Sequence, residues 1–193
     1  MTISKNLNWK PHISNITKKA NSTLGLLRRN LRKCPSQTRE LAYNTYVRPT
    51  LEYASLVWDN EIKDQINRVE SIQRRAARFV KAEYRWDHSV TAMLNELRWP
   101  SLKERRAHAK MAFMWRIVNN LVAIPIAPPY LYPSFHSLRG HQLRFSQQHC
   151  RIQAYQHSFF PSAVRLWNSL PQAVVSAQSL DTFKKLLGPL TLS

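Results

Sequence analysis

Apolar residues recur every three or four positions along the first third of the chain. Ile13, Ile16, Ala20, Leu24, Leu27 and Leu31 form one stripe, which predicts an amphipathic α-helix over about residues 11–32. Pro11 suits the first turn of that helix, and Pro35 ends it. A second helix is expected after Ser36, with Leu41, Val47, Leu51, Ala54 and Trp58 turned inward. Pro49 should kink it, because a proline ring removes one backbone donor and crowds the preceding turn. Ile62, Ile66, Val69, Ile72, Ala76 and Val80 mark a third helix, and Met93, Leu94 and Leu97 a short fourth. Pro100 precedes Ser101 and Glu104, whose spacing is that of a capping box. Leu102, Ala109, Phe113, Ile117 and Leu121 then run along a fifth helix.

Beyond Leu121 the helical period is lost. Residues 122–161 are rich in Pro, His, Gln and Ser, which predicts an extended arm packing on the bundle, with short strands near 142–145 and 151–155. A last helix from Ser179 presents Leu180, Phe183 and Leu187 inward and Lys184 and Lys185 outward, and stops at Gly188-Pro189. The expected fold class is therefore mainly α: a helical bundle over 11–121, then an extended Pro/His-rich arm with a short terminal helix over 122–193. Three glycines against eleven prolines fit helices with stiff connections better than a turn-rich β protein.

Composition bounds the possibilities. In 193 residues, 44% are hydrophobic, including six Trp, seven Tyr and seven Phe, which is ample for a core. The longest apolar run, 121–132, is interrupted by Pro125, Pro128 and Pro129 and falls short of the ~20 residues a membrane span needs. Met1-Thr2-Ile3-Ser4-Lys5 lacks the apolar centre of a signal peptide. Cys34 and Cys150 form no C-x-x-C pair, so a reduced, intracellular setting (cytoplasmic or nuclear) and no membrane partner are expected.

Charge sharpens the picture. The formal net charge is +18, and it is unevenly spread. Residues 1–48 carry ten Lys and Arg against one Glu, whereas residues 49–100 carry eight of each sign. A basic excess concentrated in one segment is the electrostatic footprint of a polyanion ligand, whose affinity comes from displaced counterions. On the polar face of the first helix lie Lys18, Ser22, Gly25, Arg29 and Lys33, small in the middle and cationic at the flanks. Small residues let a helix approach a nucleic-acid groove while the flanking cations hold phosphates. The third helix sets Arg74, Arg75 and Arg78, followed by Lys81, opposite its apolar stripe, although Glu70 and Glu83 stand near enough to pair with some of them. These faces are equally readable as solvated surface.

Catalytic patterns are weak. Asp59, Glu61 and Asp64 form the densest acidic cluster, and helix N-terminal acids account for it better than a Mg²⁺ site does. His141, His149 and His157 surround Cys150 without a zinc spacing. His141-Gln142-Leu143-Arg144 with Tyr155 matches only a fragment of a tyrosine-recombinase site. No catalytic residue, cofactor or metal is expected.

Ser158-Phe159-Phe160-Pro161-Ser162-Ala163-Val164-Arg165-Leu166-Trp167-Asn168-Ser169-Leu170-Pro171 resembles the C-terminal tail of reverse transcriptases from non-LTR (LINE-like, jockey-type) retrotransposons. The likeness continues in order along the chain. It includes Leu7-Asn8-Trp9-Lys10-Pro11-His12-Ile13, Leu24-Gly25-Leu26-Leu27-Arg28-Arg29-Asn30-Leu31 and Tyr46-Val47-Arg48-Pro49-Thr50-Leu51-Glu52-Tyr53 with Val57-Trp58. It also includes Gln73-Arg74-Arg75-Ala76-Ala77-Arg78-Phe79, the segment 97–106 and Arg139-Gly140-His141. The resemblance implies an RNA-directed DNA polymerase family whose thumb, a helical bundle, grips an RNA–DNA or RNA duplex without reading its sequence. The family's paired palm aspartates have no counterpart here, so the implied object is a thumb-plus-tail fragment, with 1–10 following the last palm strand. It would not be an enzyme on its own, and a separate palm-bearing segment is an implied partner. The alternatives are a vestigial transposon-derived protein without activity, prone to aggregate through apolar surface near Trp9 and Trp58, and an unrelated basic RNA-binding protein. Phe159, Phe160, Leu166, Trp167 and Leu170 are expected to anchor the tail on the bundle.

Overall fold

The computed structural model of the chain describes residues 1–6, 8–59, 61–134 and 140–190. Leu7 and Arg139, which carry part of the resemblance, lie outside them. The protein is mainly helical, as expected, and it divides into two compact units, Met1–Lys103 and Glu104–Ser193.

In the first unit, α1 (Lys10–Asn30) buries Ile13, Ala20 and Leu24 of the predicted stripe, leaves Ile16 and Leu27 half-buried, and also buries His12. It packs against α5 (Lys63–Lys81), which buries Val69, Ile72, Ala76, Ala77, Phe79 and Val80. Between them run α2 (Ser36–Ala42), a π-helical turn (Tyr43–Val47), α3 (Arg48–Glu52) and α4 (Ser55–Trp58). The disturbance expected at Pro49 takes the form of that π-turn. Proline has no N–H for the carbonyl four residues back, and its ring crowds that turn. The helix widens just before it, with the Arg48 N–H bonding the Tyr43 carbonyl five residues back.

The wider turn changes which side chains face inward. Arg39, Tyr43, Val47 and Leu51, each four apart, are all buried, whereas Leu41, expected inside, is exposed. A strict four-residue spacing drifts by ~40° per step on an ordinary 3.6-residue helix, and the π-turn absorbs that drift. Tyr43 takes the interior position with its ring stacked on Trp99 at 4.5 Å and its hydroxyl 3.3 Å from Gln73 Oε1. Gln73 is itself buried and donates through Nε2 to the Pro100 carbonyl at 2.8 Å. Trp58 is also buried, with Nε1 donating to the Tyr53 carbonyl, while Trp9 is half-buried. Trp58 itself is thus covered, whereas Tyr53 and Val57 near it in the chain are exposed.

Three helices end in the same way without glycine. Ala82, Arg98 and Asn120 adopt left-handed backbone after α5, α6 (Val90–Glu96) and α7 (Leu102–Val118). In each case the next N–H bonds a carbonyl five residues back: Glu83 to Arg78, Trp99 to Leu94 and Leu121 to Arg116. This cap ends α7 before Leu121, where the apolar period alone would extend it. Arg39 adds a second closure to α5, its Nη1 donating to the Phe79 carbonyl at 2.9 Å.

The second unit has its own core. Met111, Met114, Trp115 and Ile117 of α7 gather with Leu166 and Trp167 of α9 (Phe159–Asn168) and Phe183 and Leu187 of α11 (Leu180–Leu187). Thus the body of α7, placed by the sequence with the first bundle, supplies core residues here. Short α8 (Gln153–Gln156) and α10 (Gln172–Val175) complete the helices. The two expected strands are absent from the described residues: 151–155 leads into α8, and at 142–145 only a single bridge, Pro133 to Phe145, forms.

The Trp167-Asn168 pair holds that irregular segment. Asn168 accepts from the Phe145 N–H at 3.0 Å and donates to the Phe145 carbonyl at 2.7 Å, acting as a strand partner would. Trp167 Nε1 donates to the Leu143 carbonyl at 2.7 Å, and buried His141 donates through Nε2 to the Trp167 carbonyl at 2.9 Å. The H-x-x-R histidine is therefore a buried structural group, and Tyr155 is exposed.

Two measurements probe these contacts. Gln73→Ala removes the amide that joins the Tyr43 hydroxyl to the Pro100 carbonyl and opens a cavity, so unfolding free energy should fall by roughly 1–3 kcal/mol. Chemical denaturation checks this. Burial holds the His12 imidazole, and likewise that of His141, below the ordinary value of 6.5. The unfolded chain then binds more protons below that pH, so stability is complete above about 6.5 and declines as pH falls. Melting temperature should drop between pH 7.5 and 5.5, and a His12→Gln/His141→Gln double variant should show a smaller drop.

Candidate nucleic-acid interface

All eight residues singled out from the sequence lie in the first unit. Lys18, Ser22 and Arg29 are exposed along α1, Gly25 is half-buried, and Lys33 is exposed in the turn after the helix. Helical geometry sets the four α1 positions within one side, since steps of three and four residues nearly complete a turn. Arg74 and Arg75 are exposed on α5, and Arg78 is half-buried.

The tertiary structure joins the two helices' polar faces. Arg75 Nη1 donates to Asn21 Oδ1 at 2.8 Å, which sets α5's cation beside Ser22 and Lys18 on α1. Farther along, the left-handed Ala82 turns the chain so that the Tyr84 ring lies beneath the Arg28 guanidinium, 5.0 Å from its carbon. Arg78 Nη1 reaches the Tyr84 carbonyl at 3.5 Å. Gly25, Arg28, Arg29, Arg32 and Tyr84 line an open groove of about 620 Å³. Asn21 and Arg28, seven apart, carry the flank of α1 toward α5, and Arg32 in the turn after the helix continues it. Arg74 lies ~100° around α5 from Arg75 and is not drawn into these bonds.

The electrostatics follow from where the carboxylates are engaged. No acidic residue occurs in α1. Among the described residues, none of the eight cationic or small positions forms an ion pair. Glu70, a candidate partner for the α5 arginines, accepts from the Lys103 N–H at 2.7 Å, and Glu83 faces His88 at 3.2 Å. Asp64 sits in the first turn of α5 against Arg68, and Lys81 pairs with Glu96. The cations of the α1 face and groove thus keep their positive potential, with Arg28 and Arg29 in the last turn also complementing the helix dipole.

Arg28, Arg32 and Tyr84 were not among the sequence candidates. The Arg28-Arg29 and Arg32-Lys33 doublets are a visible signal for the first two. Tyr84 carries none, since its place depends on the turn at Ala82. Comparison of the chain with protein-family models, curated proteins and solved structures gave no match.

Gly25 is informative because nothing inside the fold requires it. A Cβ there would meet only Arg29 Nη1, at an ordinary 3.7 Å, and the backbone is helical. Gly25→Ala should therefore stabilise the first unit by about 0.5–1 kcal/mol, seen as a higher denaturation midpoint.

Proposed function

We propose that the chain is a non-catalytic, thumb-like module, related to non-LTR retrotransposon reverse transcriptases, that binds RNA–DNA or RNA duplex through its phosphate backbones. The observation that carries the reading is the uncompensated cationic surface made when α5 docks on α1. Lys18, Arg29 and Lys33 flank the small positions Ser22 and Gly25, and Arg75 and Arg78 extend the surface to a second helix. Such an array suits phosphates that pass on either side of a groove, with affinity from counterion release and little base selectivity. The ordered resemblance along the chain supports the polymerase relationship.

The role assigned is grip rather than chemistry. Phosphoryl transfer by two metal ions needs convergent carboxylates, and this surface presents guanidinium and ammonium groups. A palm-bearing polymerase segment is the partner that would supply the reaction.

Fluorescence anisotropy with a blunt 20-base-pair RNA–DNA hybrid tests the binding. Affinity should fall steeply between 50 and 200 mM salt, following ~0.7–0.9 units of log–log slope per neutralised phosphate. A Lys18→Ala/Arg29→Ala/Lys33→Ala variant should weaken binding and flatten the slope by roughly 2–3 units, with an unchanged melting temperature. A flat salt dependence, or equal binding by the variant, would overturn the reading. Nucleotide incorporation by the purified chain in a primer-extension assay would overturn its non-catalytic part.

A further inference from the structure

The loop 82–89 between α5 and α6 carries an unexplained side chain. Trp86 is 93% exposed, which is unusual for the largest apolar residue in a protein that buries Trp58 and Trp167 almost completely. Two residues before it, Tyr84 is 51% exposed and forms the wall of the arginine groove. Two residues of chain span at most ~7 Å, so the Trp86 backbone stands about one nucleotide's length from that of Tyr84.

The loop is braced rather than loose. Its left-handed start at Ala82 is closed by the Glu83 N–H on the Arg78 carbonyl. Arg85 makes a two-pronged contact with Asp87, Nε to Oδ1 at 3.2 Å and Nη2 to Oδ2 at 2.8 Å. Glu83 accepts from the Arg85 N–H at 3.0 Å and faces His88 Nδ1 at 3.2 Å. Both carboxylates are thereby engaged within the loop. These contacts reduce the loop's freedom before any ligand arrives.

We propose that Trp86, with Tyr84 beside it, is a base-stacking site that takes an unpaired nucleotide of RNA or DNA whose backbone lies in the arginine groove. The inference rests on the nucleic-acid reading of the first unit and deepens it, naming a duplex with a single-stranded extension as the ligand. Every base offers a flat π-face, so an exposed indole accepts any of them, while guanidiniums alongside track the phosphates. A face built only for duplex backbone would have no use for an exposed indole.

The test compares a blunt RNA–DNA hybrid with the same hybrid bearing a four-nucleotide single-stranded extension, each titrated with the full chain. The wild-type chain should prefer the extended hybrid, and Trp86→Ala should reduce that preference by about tenfold, the size of one stacked base. Trp86→Phe should restore most of it. Because the other five tryptophans are buried or half-buried, the red-shifted emission belongs to Trp86 and should be quenched by the extended hybrid. An equal effect of Trp86→Ala on both hybrids, or no effect on either, would overturn the stacking site while leaving duplex binding intact. Failure to bind either hybrid would overturn both readings. Selective loss of binding to anionic phospholipid vesicles in Trp86→Ala, without loss of the extension preference, would assign the indole to a lipid surface instead.

Discussion

The first unit depends on one buried amide. Gln73 lies in the middle of α5 with its oxygen toward the Tyr43 hydroxyl and its nitrogen toward the Pro100 carbonyl. A buried amide with unmet bonds costs more than an apolar residue would, so only one rotation of α5 about its axis is acceptable. That rotation puts Arg75 next to Asn21 and Arg78 beneath the turn to Tyr84. A shift of α5 by one residue would swing its arginines by ~100° and drive an apolar residue into solvent. The basic surface and the interior amide are two consequences of the same constraint.

In the second unit a comparable role falls to Trp167 and Asn168. The aromatic fills the core between α7 and α11, while the amide pairs both backbone groups of Phe145. This explains physically why an aromatic–Asn pair stands in a segment otherwise built for packing. The tail anchors thus stabilise a second core that includes α7, and they take no part in the cationic surface.

Much of the fold was legible because helical periodicity is local. Most of the α1 and α5 stripes, and Phe183 and Leu187 of α11, fall where their spacing places them, whereas Ile62, expected on the α5 stripe, precedes the helix and is exposed. What was not legible depended on distant contacts or on unmarked backbone states. Leu41 and Tyr43 exchange places because a π-turn re-phases the helix. Helix ends at Ala82, Arg98 and Asn120 use left-handed residues in a chain with three glycines, so the usual glycine signal is missing. In α7 the second core takes Ala107, Met111, Met114, Trp115 and Ile117, whereas Ala109 and Leu121 of the expected stripe are exposed, so local spacing showed neither the full buried face nor what it packs against. The α1 face was visible as a pattern, whereas its continuation through Arg28, Arg32 and Tyr84 required the tertiary path of the loop 82–89.

Like charges crowded along α1 and its following turn repel one another, and this lowers the stability of the unliganded fold. The chain contains enough acids to relieve part of that repulsion, since residues 49–100 hold as many Asp and Glu as Lys and Arg. Yet Asp64, Glu83, Asp87 and Glu96 pair within or near their own segments, and Glu70 bonds a backbone N–H. A surface evolved only for solubility would gain by placing some of those carboxylates against α1. An anionic ligand relieves the repulsion by binding the folded state, and that coupling raises stability with the logarithm of ligand concentration above Kd. On the function proposed above, the unrelieved charge is half of an interface whose other half is a polyphosphate backbone.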